Sequence, residues 1–349
     1  MIIFFTSPIG LGHATRDVAI CEKLCSLKRE EVFFVSGWPA IDIFSKNGYV
    51  AYNAYKPHKF NVSNSMELRS VLRWVLQYLL YYRKCKGIAS DFIDKNKNGL
   101  IVSDEDFASI SIGENRNRKR ILITDLIGTK FVKGLFSNIE LRMNRSLLNM
   151  IKKCDRVIIP DYGENRDNIS HVGPIVRNLS TTNRSELRKK FGMQRQTVLV
   201  SIGGTAAGKY LIDMAIRAHK KLIMKMDVDM IVAYGPSLNK NGIYDSKCKP
   251  IGFVNNLHEY VYAADLIISL AGRSTMDESI VYGTPGIFIP VKNHFEQEEN
   301  AGRLGYTYDD IFRLEHLIEE KIGTGGDNRT ISPDGAEMAA KIILQMLEY

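Results

Sequence analysis

The chain has 349 residues, 45% of them hydrophobic and 25% charged, with a formal net charge of +8. That length fits two domains of ordinary size, and that composition excludes a disordered or fibrous protein. No apolar run is long enough to cross a bilayer, and the positive balance favours an anionic partner without naming it, because nucleic acid, acidic lipid and sugar nucleotide all qualify.

The amino terminus, MIIFFTSPIG, carries no positive leader and no small-residue cleavage site, and it reads as a first β-strand. The five cysteines (Cys21, Cys25, Cys85, Cys154, Cys248) are odd in number and scattered. With no CxxC or His/Cys cluster, they predict a reduced cytosolic setting and no metal site. Short apolar runs then alternate with helical patterns. Ile2–Thr6, Val32–Ser36, Gly99–Ser103, Arg120–Thr124 and Arg156–Pro160 read as strands in the first half. Thr197–Ile202, Met230–Ala233, Leu266–Leu270 and Gly286–Pro290 follow in the second. Strands buried on both faces and separated by helices predict parallel sheets in an α/β protein.

The first strand runs into Ser7-Pro8-Ile9-Gly10-Leu11-Gly12-His13-Ala14-Thr15-Arg16 and a helix. Glycines there let backbone approach a ligand, and the helix start favours anions. The loop lacks the third glycine of a dinucleotide fingerprint, and Val32–Ser36 ends without the expected acidic residue. His13 reads either as a turn histidine or as a general base at the mouth of the sheet. Leu68–Lys86 is an uninterrupted helical pattern, with Leu68, Leu72, Val75 and Leu79 on one stripe and Trp74, Tyr78 and Tyr81 on a second. Its flanking Arg69, Arg73, Arg83, Lys84 and Lys86, with the basic loop Asn115–Arg120, suit either a core helix with a basic outer face or a helix at an acidic membrane surface. No nucleic-acid module with exposed stacking aromatics is present. Asp104-Glu105-Asp106 imitates a metal-binding Asp-x-Asp but reads as an N-cap and solvated turn, or as a carboxylate near a second substrate. Either Asp104 or Asp125 would orient His13.

The polar stretch Asn178–Ser185 marks a junction at or just before it, around Gly173-Pro174, so residues 1–172 form one expected domain and 173–332 the other. Gly323-Thr324-Gly325-Gly326 reads as a connector to a last helix, 333–349, signalled by Ser332 and Pro333 and expected to pack back on the first domain. The second half opens with Gly203-Gly204-Thr205-Ala206-Ala207-Gly208-Lys209-Tyr210, a near P-loop. Tyr210 replaces the hydroxyl residue that would hold magnesium, which discounts NTP hydrolysis. Ala271-Gly272-Arg273-Ser274-Thr275 sets backbone N–H groups at a helix start, with Glu278 one turn on. A loop for phosphate and a carboxylate for ribose predict a nucleotide diphosphate ligand, although Thr275-x-x-Glu278 also fits a capping box. Glu296 and Gln297 sit at a strand's carboxyl end, placed either to hold sugar hydroxyls or to start an exposed acidic helix.

Together these residues resemble the GT-B glycosyltransferases, most closely the family 28-like group that holds the MurG-type peptidoglycan N-acetylglucosaminyltransferases and the diacylglycerol glycosyltransferases. Gly10-Leu11-Gly12-His13 resembles the first glycine loop with its histidine, and Gly203-Gly204-Thr205 the second, although Thr-Ala-Ala stands where the family has Ser-Gln-Gly. His171 to Arg177 resembles the linker that gives Arg177 a donor-side role. Gly252-Phe253-Val254 resembles the loop that reads uracil, and Ala271 to Glu278 the one that holds the α-phosphate and ribose. Glu296-Gln297 takes the place of Gln-Gln or Asp-Gln, which leaves the donor sugar unnamed.

The resemblance implies two Rossmann-like domains facing across a cleft. It implies inverting transfer from a UDP-sugar, UDP-GlcNAc among the candidates, to an acceptor hydroxyl, with His13 as base and without metal or cofactor. A cytoplasmic enzyme is expected, with a lipid-linked acceptor at the membrane's inner face as one version. A UDP-sugar epimerase of the same fold and a nucleotide-sugar-binding protein without chemistry are the alternatives.

Overall fold

The computed structural model describes every residue except 132–136, 205, 237, 239–246, 326–330, 332–334 and 349. Thr205, Gly326, Ser332 and Pro333 therefore lie outside the described residues. The chain divides into two compact units. Met1–Asn61, Ser70–Arg177 and Asp334–Tyr349 form the first; Val62–Arg69 and Asn178–Pro333 form the second. The division thus falls after Arg177 rather than at 172/173, and the segment Val62–Arg69 belongs with the later half.

The first unit holds a seven-stranded sheet, all parallel, in the order β3-β2-β1-β6-β7-β8-β9. Its strands are β1 (Ile2–Thr6), β2 (Val32–Ser36), β3 (Val50–Asn53), β6 (Leu100–Asp104), β7 (Arg120–Ile123), β8 (Arg156–Ile159) and β9 (Ile169–His171). Every residue of β1, β6 and β7 is buried, as expected of strands covered on both faces. The helices are α1 (Gly12–Leu27), α2 (Ala40–Lys46), α3 (Val71–Lys95), α4 (Phe107–Asn115), α5 (Ser137–Lys153) and the returning α12 (Ala336–Glu348). In α12 the fully buried Ala336, Ala339, Ala340 and Ile343 repeat at helical spacing, and this face packs on α1. Asp106 caps α4 by accepting from the Ser109 N–H at 3.1 Å.

The second unit holds five parallel strands in the order β12-β11-β10-β13-β14. These are β10 (Gln196–Ser201), β11 (Val228–Ala233), β12 (Cys248–Ile251), β13 (Leu266–Leu270) and β14 (Gly286–Ile289). Its helices are α6 (Arg184–Phe191), α7 (Lys209–Leu222), α8 (Leu257–Ala263), α9 (Arg273–Tyr282), α10 (Phe295–Arg303) and α11 (Leu314–Lys321). A two-residue ladder of β4 (Asn61–Val62) and β5 (Leu68–Arg69) is tied to the loop after β14, where Leu68 N–H donates to Lys292 O at 2.9 Å.

Both sheets reverse their strand order at one point, β1 beside β6 in the first and β10 beside β13 in the second. Open parallel sheets bind ligands outside the carboxyl ends of the strands at such points.

Two corrections follow. The helix expected from Leu68 begins at Val71, because Leu68 and Arg69 are strand and Ser70 is left-handed at φ +53°. The Asp104-Glu105-Asp106 run is no solvated turn: Asp104 is the fully buried end of β6, and Asp106 is buried as well. All five cysteines are free thiols, Cys25 exposed and the others buried. No described helix is long and apolar enough to cross a membrane, and no cluster of metal-ligating side chains occurs among the described residues.

Candidate active site and donor loops

In the first unit the register pairs Thr6 with Asp104, and Asp104 with Ile123. The loops after β1, β6 and β7 therefore leave the sheet side by side. Gly10 takes φ +94° in the first loop, a conformation open to glycine at no steric cost. Gly12 opens α1, and His13 follows in its first turn. His13 Nδ1 lies 2.8 Å from Asp104 Oδ1. Arg16, three residues on and hence on the same helix face, grips the same carboxylate with Nε to Oδ2 at 2.8 Å and a terminal nitrogen to Oδ1 at 2.5 Å. Asp104 is thus the partner of His13. Asp125 instead lies 3.8 Å from Arg16 through its Oδ2 and close to Glu105.

The electrostatics follow from this packing. Burial disfavours the His13 charge, but Asp104, and beyond it Glu105, outweigh that and raise the imidazole from 6.5 to about 9. Burial would also raise Asp104; Arg16 and His13 overcome it and hold the carboxylate well below its usual range. Glu105 goes the other way, pushed well above the usual range by burial and the nearby Asp125. Its backbone is left-handed at φ +53°, its Oε1 accepts from Thr124 Oγ1 at 3.0 Å and from Asp125 N–H at 3.3 Å, and its Oε2 lies 3.7 Å from His13 Nε2. Asp17 is also buried and pushed upward by burial and by Asp104, with the Thr6 hydroxyl donating to it.

The second unit gathers its loops at one sheet edge as well. Register pairs Ser201 with Ser269, Ser201 with Ala233, and Ala233 with Ile251. Gly203-Gly204 follows β10, with Gly203 at φ +66°. Phe253 and Val254 follow β12, both half-buried. After β13, Gly272 is the N-cap of α9, and Arg273, Ser274 and Thr275 make its first turn. Thr275 is therefore inside the helix, no side-chain cap forms there, and the capping-box reading of Thr275 and Glu278 does not hold. Glu278 is buried. Arg273 donates to Asp277 one turn along at 2.9 Å. After β14, Gln297 Oε1 accepts from Val291 N–H at 3.0 Å, so this side chain braces its own loop, and Glu296 beside it is half-buried. Lys209 is an exposed first residue of α7.

Arg177 is buried in the first unit, where it donates to Asn47 Oδ1 at 2.8 Å and lies 3.5 Å from Glu22. Sequence reasoning assigned no role to Arg16 or Gly235, and placed Glu105 only within an acidic run read as a cap and solvated turn or as a carboxylate near a second substrate. The three-residue step from His13 pointed to Arg16. A Cβ on Gly235 would run into the carbonyl oxygen of Gly203, a requirement that only the folded chain reveals.

The two α/β units with parallel sheets and loops at their switch points have the fold class of the solved GT-B glycosyltransferases. Comparison with known proteins defines that class further. Residues 197–316 match the glycosyltransferase family 28 C-terminal domain. An uncharacterized glycosyltransferase of Methanopyrus kandleri is 26% identical over 337 residues, 90% of each chain. A UDP-N-acetylglucosamine–N-acetylmuramyl-(pentapeptide) pyrophosphoryl-undecaprenol N-acetylglucosamine transferase of Caldicellulosiruptor saccharolyticus is 24% identical over 43% of this chain and 45% of its own. The solved glycotransferase of kitacinnamycin superposes over 99% of this chain and 98% of its own, with TM-score 0.63 at 12% identity.

Proposed function

We propose that this glycosyltransferase moves a sugar from a UDP-sugar to an acceptor hydroxyl, with inversion and without a bound metal, and that His13 is the general base. The observation that carries the reading is the His13–Asp104 pair at the switch point of the first sheet, 2.8 Å apart. Asp104 fixes the ring through Nδ1 and leaves Nε2 directed at the acceptor, the arrangement in which a buried carboxylate orients a catalytic imidazole. In the second unit, the first turn of α9 and the Gly203-Gly204 turn offer backbone N–H groups and a helix dipole to the leaving diphosphate. Glu278 would take the ribose diol, Phe253 and Val254 the uracil, and Glu296 the donor sugar.

The acceptor is proposed to sit at an acidic membrane surface. The outer face of α3 carries exposed Leu76 and Leu80 among exposed Arg73, Arg83 and Lys84, a mixture suited to anionic headgroups.

The test is calorimetry with UDP and a panel of UDP-sugars in the presence of EDTA, followed by assignment of the product anomer. Binding of UDP in EDTA and an inverted product are expected. A strict requirement for magnesium, or a retained anomer, would overturn the mechanism.

A further inference from the structure

Asp17 is a buried acid that the transfer step leaves unused. With His13 and Arg16 it falls at i, i+3 and i+4 on α1, so the three side chains share one helix face. No part of Asp17 reaches solvent. Its Oδ2 accepts from the Thr6 hydroxyl, and its Oδ1 meets no donor among the described residues. Thr6 is the register partner of Asp104 on the neighbouring strand, and such partners turn their side chains to the same face of a sheet. Asp17 therefore stands beside Asp104, within hydrogen-bonding range of it.

Two carboxyl groups in contact at a buried site cannot both be charged, and one proton settles between them. The company each keeps decides which one holds it. Asp104 accepts on Oδ1 from His13 and a terminal nitrogen of Arg16, and on Oδ2 from Arg16 Nε. Asp17 receives the Thr6 hydroxyl. Arg16 draws Asp17 toward the charged form, but burial and Asp104 outweigh it. Cys21, one turn further along α1, is a buried thiol that Asp17 itself helps to keep neutral. A carboxylate offers about four lone-pair sites, and three donors already serve Asp104. The fourth site, on Oδ2, is left for a donor that only Asp17 stands ready to supply.

We propose that Asp17 is a positioning residue for sugar transfer: as a neutral carboxylic acid it donates a hydrogen bond to Asp104 and fixes the carboxylate that orients His13. The proposal rests on the reading of His13 as the base and extends its support by one residue. With four donors in place, Asp104 loses a hydrogen bond whichever way it turns, so the His13 ring keeps its direction. Asp17 exchanges no proton with substrate; the acceptor proton passes to His13 Nε2. Being uncharged, Asp17 adds no second negative charge behind Asp104.

The experiment compares the full-length protein with Asp17→Leu and Asp17→Asn. Leucine keeps the approximate size and removes the donor. It should lower kcat by about tenfold or more while UDP affinity from calorimetry holds. Asparagine keeps an N–H for Asp104 and a C=O for Thr6, and it should recover most of that loss. The His13 imidazole, followed by NMR and assigned through its absence in His13→Gln, should titrate in Asp17→Asn near 9, as in the wild type. The infrared difference between wild type and Asp17→Asn at neutral pH should contain the C=O band of a protonated carboxyl. A carboxylate band in that difference would overturn the proposal. So would a His13 titration lowered by about one unit or more in Asp17→Asn, the sign of a lost negative charge. Asp17→Asn as slow as Asp17→Leu would overturn it too. If Asp17→Leu does not fold, the asparagine variant decides through NMR and infrared. A wild-type protein that transfers from no UDP-sugar would strike the transferase reading, whereas the two spectroscopic results stand or fall with Asp17 itself.

Discussion

The chemistry of the first unit is concentrated on one buried carboxylate. Asp104 accepts from His13 and from two nitrogens of Arg16, and the three groups set one another's protonation. Arg16 stays charged: burial disfavours that charge, but Asp104 outweighs it. Asp104 is thereby kept ionised, and together with Glu105 it outweighs burial and the Arg16 charge to favour protonated His13. The sign for catalysis is definite. A base must be unprotonated, so kcat/KM is expected to climb with pH through the ordinary histidine range and level off only near 9. Removing the partner charge in Asp104→Asn should move that limb down toward about 6.5 and lower the rate by roughly 10²-fold or more. It should also lower Tm, because Arg16 is left buried without its carboxylate. A limb that stays in place in Asp104→Asn would show that another group titrates.

At the scale of elements, glycines and strand ends decide where the loops lie. The chain just after β11 passes so close to the Gly203 carbonyl that Gly235 admits no side chain. Gly235→Ala is expected to displace the Gly203-Gly204 turn and weaken UDP binding about tenfold or more, with a smaller change in Tm, since strain at such sites costs about 1–3 kcal/mol. Calorimetry at wild-type affinity would separate that turn from the donor.

The same scale explains what was readable beforehand. Strands such as IIFFT and LIISL are buried along their whole length, and continuous β-branched and aromatic runs announced them. Edge strands were silent. β3 is only four residues long and exposes Val50 and Tyr52, and β12 carries Lys249 and Pro250 and shows no apolar run. α3 starts at Val71 rather than Leu68 because Leu68 and Arg69 pair with β4 and Ser70 turns left-handed. Among site residues, the glycine turns and His13 are local signals. The pairing of His13 with Asp104, 91 positions away, depends on β1 lying next to β6, a fact of topology that spacing alone leaves open. The burial of Glu105 has the same origin.

On the scale of the whole molecule, two units each carry a complete parallel sheet, and the proposed function gives each switch point a different part of one reaction. The first unit, closed by the returning α12 on α1, holds the proposed base. The second holds the loops proposed for the donor. Donor affinity and proton abstraction should therefore be separable by one substitution. The decisive measurement is the rate of sugar transfer by His13→Ala set beside its UDP affinity from calorimetry. The account predicts wild-type affinity with transfer slowed by about 10²–10⁴-fold; transfer at the wild-type rate would contradict it.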